Sequence, residues 1–445
     1  MNTEVYALAN GTDRMALEEV DDVSFVENDD VQFGTVNRRK FVYWGGDNLM
    51  PYGLMRLVAH DEVMSQAKHF NILTCFGCGV EYRDIDTGER ATNGEVVRFM
   101  RDNALQTYFL EQCTDMKFFA FAVSVIILNR EGTKIVEVRH KDACNVRFEK
   151  ANAVGRIEHV FYGNFDKSGT YTDIQTIELL DERNPLGDLR VRLGLQPDRH
   201  GMLHRATNVR KFAVLAKFPM PGNPYYPQPY YTSIFRSDWY TIKQLIQKSK
   251  KAKVKNLTGI RYQVEVNRDY WDHICDDEQI FDPAERLKRI AQEKENIRNF
   301  VSGIENNGKM WFSKMYIDPN GKEVSEVKVT QIDTTKAGGD WSEDIQEAAN
   351  MICFAEGIHP NLVGAVPGKS QSNNSGSDKR ELFTLKQAIE IAYHHVLMTP
   401  HNLIIAFNGW NVRPDVPMIT LTTLDAHADA QKVTPNNDEP AQVNE

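Results

Sequence analysis

Apolar residues settle into a regular pattern only after residue 46. Residues 1–46 are polar and acidic, with short alternating stretches at Val23–Val26 and Val31–Val36, and read as an N-terminal arm. From Asp47 the spacing turns helical (Leu54, Leu57, Val58, Val63, Ala67, Phe70), with Pro51 suited to a first turn and Gly77 and Gly79 closing the run. A strand at Val80–Arg83 and a helix from Gly94 to Lys117 are expected next. Residues 118–218 change register to short runs rich in Val, Ile, Phe and Thr, bounded by Gly, Asn and Asp, and predict a mostly β region with a long loop over 183–208. The stretch 219–235, dense in proline and tyrosine, suits neither a regular helix nor a central strand and marks a boundary.

Beyond it the pattern alternates. A helix is expected over Arg236–Lys255, a strand over Ile260–Val266, a charged helix over Pro283–Ile304, and strands over Met310–Ile317 and Val324–Ile332 around an Asp318–Gly321 turn. A helix over Asp340–Glu356 follows, then a Gly/Ser/Asn-rich loop over 364–378. Asp378 with Glu381 has the spacing of a capping box, opening a long helix to Met398 whose core stripe is Leu382, Leu385, Ile389, Ala392 and Val396. Strands at Leu403–Phe407 and Met418–Leu424 close the fold, and 428–445 read as a disordered tail. The class is α+β.

Composition narrows the function. With 445 residues, 41% hydrophobic, the chain can bury a sizeable core in more than one structural unit. The longest apolar run, Phe118–Leu128, is about half of what a membrane-spanning helix needs. The N-terminus lacks a basic region followed by an apolar one, so no secretory signal is expected. Six cysteines are too sparse for a disulfide scaffold and predict a reducing compartment. A net charge of −10 argues against a protein that grips nucleic-acid phosphates over most of its surface.

No catalytic constellation emerges. Gly364 to Ser370 imitates a phosphate-binding loop, but it has three residues between the glycines where four are needed, and no strand precedes it. Cys75-Phe-Gly-Cys78 has no second pair to complete a zinc site. His394 and His395 are adjacent on a helix and diverge too far to share a metal. No cofactor or metal is expected. Two features remain: a lysine-rich helix end (Lys243, Lys248, Lys250, Lys251, Lys253, Lys255), and the polar loop (Lys369, Ser370, Gln371, Ser372, Asn373, Asn374, Ser375) followed by Lys379 and Arg380.

A further pattern runs through Gly357-Ile358, Pro360, Leu362 and Gly364, then Ser370–Ser377, then Glu381, with Asn48-Leu49-Met50-Pro51 before the first helices. With the order of the parts, over about residues 45–425, it resembles the portal protein of tailed double-stranded DNA bacteriophages. The resemblance implies a wing over 47–235, a stem helix over 236–255, a clip over 256–335, a second stem helix over 336–361 and a tunnel loop over 362–378. The long helix and closing strands over 379–427 would leave a minimal crown. It further implies a non-enzymatic homo-oligomeric ring of about twelve copies at a capsid vertex of the virion, assembled in the bacterial cytoplasm without a membrane. Double-stranded DNA would pass through without sequence specificity. The terminase large subunit, head–tail connector proteins, the major capsid protein and scaffolding proteins would be its partners. The loop residues would face the channel, and Lys248–Lys255 would lie at the stem–clip junction. A conduit must let DNA slide, so an acidic chain excludes tight static binding but not DNA as a passenger. Two alternatives stand beside this: another ring-forming virion connector, and a metal-dependent nuclease, for which no suitably placed carboxylates are visible.

Overall fold

The computed structural model describes residues 31–166, 171–198, 201–256, 262–302, 315–317, 323–331, 341–363 and 376–419. The described residues form two compact units, one drawn from the chain up to Thr241 and from Ile345 onward, the other from Ile242–Asp344.

The first unit opens with a hairpin, β1 (Phe33–Val36) and β2 (Arg39–Val42), turned at Asn37 and Arg38, whose φ of 50° and 63° fit the twist of a two-residue turn. The expected helix after Asp47 is two helices, α1 (Met50–Ala59) and α2 (Glu62–Phe76). Asp61 makes the break, its carboxylate accepting the Met64 amide at 2.9 Å as an N-cap. After β3 (Glu81–Asp84), the expected helix from Gly94 is likewise split into α3 (Gly94–Asp102) and α4 (Leu105–Phe119). Ala104 is left-handed (φ 43°), and the Asn103 side chain ties the corner to the Val138 amide at 2.9 Å.

The β region is borne out as β4 (Phe121–Leu128), β5 (Ile135–Lys141), β6 (Val146–Phe148), β7 (His159–Asn164), β8 (Thr172–Leu179) and β9 (Lys211–Lys217). They form one six-stranded sheet in the order β5-β4-β9-β8-β7-β6. All its pairs are antiparallel except β8 with β9. A parallel pair needs a crossover, and here it contains α5 (Pro185–Arg192) inside the stretch expected to be loop. Asn184 caps that helix by accepting the Gly187 amide at 3.0 Å, with Pro185 in its first turn. Alternation along β4 feeds two cores. Ala122, Ile126 and Leu128 pack in the cluster that includes Phe109, Leu403 and Ile404, while Phe121, Val123 and Val125 pack with Trp44 and Phe148. The Pro/Tyr segment then ties off the second core: Tyr226 stacks on Trp44 (centroids 4.7 Å), accepts the Phe148 amide at 3.0 Å and donates to the Val42 carbonyl at 2.8 Å.

Chain entry into this core hangs on one buried arginine. The Arg147 guanidinium donates to the carbonyls of Cys144 (2.8 Å), Val146 (2.7 Å) and Asn48 (2.8 Å), and its Nε donates to the Asn48 side chain. Asn48, fully buried at φ 67°, also accepts the Trp44 amide at 3.1 Å. Asn48→Ala is therefore expected to cost about 2–3 kcal/mol in denaturant unfolding, through orphaned buried donors and a strained backbone. Asn48→Gly should return only the backbone part, about 1 kcal/mol. Equal losses for both variants would refute the hydrogen-bonding account.

In the second unit, the expected stem helix is α6 (Asp238–Asn256), whose first turn belongs to the first unit. Then come β10 (Tyr262–Val266), α7 (Arg268–Asp277), α8 (Pro283–Ser302), β11 (Met315–Ile317), β12 (Glu323–Ser325) and β13 (Val327–Gln331). β10 pairs with β13 and β11 with β12, both antiparallel. Helix α7, which periodicity did not reveal, is capped by Asn267. The Asp318–Gly321 turn lies outside the described residues.

Next come α9 (Ser342–Ala355), whose first three residues belong to the second unit, and in the first unit α10 (Pro360–Val363), α11 (Gly376–Leu397), α12 (Thr399–Asn408) and β14 (Val412–Asp415), which pairs antiparallel with β3. Two expectations are corrected. Helix α11 starts at Gly376, so Asp378 is inside its first turn and not at its cap. Leu403–Phe407 is helix and not strand: Pro400 sits in the first turn of α12, where its missing N–H costs nothing, and Gly409 (φ 71°) ends the helix. Met418 and Ile419 are not in a strand; residues 420–424, the tail and residues 1–30 of the arm lie outside the described residues.

Candidate functional site

The polar loop reduces to residues 364–375, which lie outside the described residues together with Lys369, Ser370, Gln371, Ser372, Asn373, Asn374 and Ser375. The chain on either side of this stretch is described, and each side carries a buried ion pair, the one in α11 ten to fourteen residues past the helix start at Gly376. On one side, just past α9, Glu356 pairs with Lys68 at 2.8 Å, and the Asn71 amide donates to both its carboxylate and its carbonyl at 2.9 Å. On the other side, Glu390 of α11 lies between Lys117 (2.5 Å) and Lys386 (2.8 Å). Lys68 joins the two by donating to the Lys117 carbonyl at 3.1 Å. The ammonium groups also sit over aromatic faces, Lys68 at 3.1 Å from the Tyr231 centroid and Lys117 at 3.4 Å from that of Tyr393.

Burial and pairing pull against each other here. Burial alone would raise the Glu390 carboxyl, but Lys117 and Lys386 override it and hold it below its ordinary value. Burial lowers Lys68 to about 8 despite the pull of Glu356. The neighbouring Cys113 thiol lowers the Cys75 thiol against the effect of burial; both are free and buried, while Cys78 is exposed. The cluster ties α2, α4 and α11 together, with Glu390 fully buried at its centre.

The basic residues divide between the units. Lys248, Lys250 and Lys251 are exposed on α6, whereas Lys243 on the same helix is buried. Lys253 and Lys255 lie in the last turns of α6, and their side chains are outside the described set. Lys379 is exposed and Arg380 half-buried near the start of α11. Among the described residues one group, Glu149, Glu158 and His159, has the spacing of a cation site. Arg39 already occupies it, at 2.9 Å from Glu149 Oε1 and 3.2 Å from His159 Nδ1.

Periodicity missed the buried charges and misjudged α11. Leu385 and Ile389, expected in its core stripe, are 60% and 49% exposed, and Ala392 is exposed as well. Lys386 and Glu390 take the inward positions because Lys117 waits there as their partner. The available signal was an i,i+4 Lys–Glu pair within a stretch, Thr384–His395, that has no other Asp, Glu, Lys or Arg.

No family model matches the sequence, and no curated protein matches it. Among solved structures, the chain is similar to one in the neck of an empty gene transfer agent particle computed with C6 symmetry, with a TM-score of 0.54 and 12% identity over 84% of this chain and 85% of that one. A chain in the virion of a native gene transfer agent particle gives a TM-score of 0.53 at 12% identity, with the same coverage. At this identity what is shared is the α+β fold. Among the described residues no helix is long and apolar enough to cross a membrane.

Proposed function

We propose that the chain is a portal subunit: about twelve copies form a ring at one vertex of a phage or phage-like capsid, and double-stranded DNA enters and leaves through it. The carrying observation is a fold shared over 84% of the chain with a component of a particle neck. On this reading α6 and α9 are the stem helices, the unit Ile242–Asp344 contains the clip, and residues 364–375 are the tunnel loop between α10 and α11. The exposed Lys248, Lys250 and Lys251 serve the terminase or the DNA at the stem. Terminase hydrolyses ATP, this chain has no enzymatic role, and head–tail connectors, capsid and scaffolding proteins complete its contacts in the virion.

Negative-stain microscopy of the purified protein should show rings with a central channel, near 0.6 MDa for about twelve chains of 50.9 kDa. A monomer or dimer at micromolar concentration with Mg²⁺-dependent nuclease activity would overturn the proposal. Deleting Gln371–Ser375, which leaves the start of α11 intact, should preserve rings and melting temperature while abolishing retention of packaged DNA in assembled heads. Loss of folding would show that the loop is a structural connection.

A further inference from the structure

Helix α11 is built inside out. Its inward face carries Lys386 and Glu390, 6% and 0% exposed. From Thr384 to His395 its exposed positions include no Asp, Glu, Lys or Arg, and hold Leu385, Ala388, Ile389, Ile391 and Ala392. Leu385, Ile389 and Ile391 are each about half exposed, at 60%, 49% and 49%. The contrast with α8 is direct, since its exposed positions include Glu285, Lys288, Lys294 and Glu295. A lone surface helix would place these two sets of residues the other way round.

We infer that the outer face of α11 is an assembly surface whose occupant is a neighbouring copy of the same chain. Duplex DNA is recognised through its phosphates by cations and hydrogen-bond donors, and this face offers neither between Thr384 and His395 apart from one hydroxyl and one imidazole. A membrane surface would call for flanking Lys and Arg on the polar face of the helix, and the polar face here is buried in the protein. The chain's own C-terminal segment approaches on another flank. Ile419 is held by both ends of the Gln387 amide, at 3.0 and 2.8 Å. Gln387 is two positions from both Leu385 and Ile389, roughly 160° around the helix from each, so the segment flanks Ile391, about 40° away, and leaves Leu385 and Ile389 as the centre of the open face.

A second copy meets the remaining requirement. Every subunit of a ring brings the same face, and permanent assembly covers it in each. The similar neck chain comes from a particle computed with C6 symmetry. In a closed ring the contact is head-to-tail, so α11 meets a different surface of its neighbour, and the alanines at 388 and 392 leave room for a bulkier residue between Leu385 and Ile389. The inference rests on the ring proposed above.

The test is Leu385→Glu/Ile389→Glu, with assembly followed by mass photometry over a dilution series. The variant should need at least ~100-fold more protein for half-maximal assembly, with unchanged circular dichroism because Lys386, Glu390 and Lys117 are untouched. A wild-type chain that never forms rings would sink the proposed function. A wild type that forms rings, with a variant that forms them equally well, would sink only this inference. A photo-crosslinking residue at position 389 of the otherwise native chain gives an answer even if the double variant misfolds. Crosslinks between copies are expected, while crosslinks confined to residues 420–445 of the same copy, or to none, would overturn the assignment.

Discussion

Glu390→Leu should destabilise the folded chain by about 3–5 kcal/mol, because it leaves two buried ammonium groups without an anion. Lys117 and Lys386 both reach Glu390, at 2.5 and 2.8 Å, and neither exceeds 8% exposure. The loss belongs to the orphaned cations more than to the missing contact. Replacing all three, as Lys117→Met/Lys386→Met/Glu390→Leu, should therefore recover most of it, since well-packed apolar groups can substitute for a buried ionic triad. Denaturation midpoints compared at one protein concentration would decide the matter, as assembly also shifts stability by mass action. A Glu390→Leu midpoint equal to wild type would mean that water reaches the cluster.

Acid should unfold the protein through His401. This imidazole is fully buried, its Nδ1 3.0 Å from the Tyr82 hydroxyl and its Nε2 3.3 Å from the Gln112 amide oxygen. Burial pushes its pKa from 6.5 down to about 3. Between those values the unfolded chain takes up a proton that the native chain refuses, so stability falls as pH drops from 6.5 and levels off below 3. The slope approaches about 1.4 kcal/mol per pH unit, for a total of about 4–5 kcal/mol. Glu390, held below its ordinary value, works in the same direction at lower pH: its contribution is present above the unfolded pKa and disappears as pH falls through the folded one. His394, raised overall, has the opposite sign, since its contribution is lost as pH rises. The difference between wild type and His401→Gln isolates the one group. That difference should shrink steadily from pH 6.5 to 4, whereas parallel curves would place the acid sensitivity elsewhere.

What could be read in advance follows from how local each signal is. The sheet strands were legible because β-branched runs such as Phe121–Leu128 carry their own propensity. The breaks after Ala59 and Asp102 were less so, because the second depends on Asn103 reaching Val138, a contact of tertiary origin. Leu403–Phe407 was misread since a short apolar run looks alike as a buried strand or a buried helix. The loop expected from composition falls on residues outside the described set, and the buried charges of the helices that flank it were not legible. Lys386 and Glu390 look like any solvent-facing i,i+4 pair until Lys117, far away in the chain, is placed beside them.

The strand order of the central sheet also sets a schedule for the nascent chain. β4 is apolar on both faces and pairs along one edge with β9, which ends at Lys217. At about 5–20 residues per second of synthesis, β4 waits roughly 5–20 s for that partner. One face of β4 is covered early, since α4 precedes it and packs against it, whereas α12, which packs against β5 and β9, is made nearly two hundred residues after β9. Until β9 is made, β4, apolar apart from Ser124, has one edge unpaired, the kind of edge that chaperones bind and that aggregates when they are scarce. Soluble yield is therefore expected to fall when translation slows between β4 and β9.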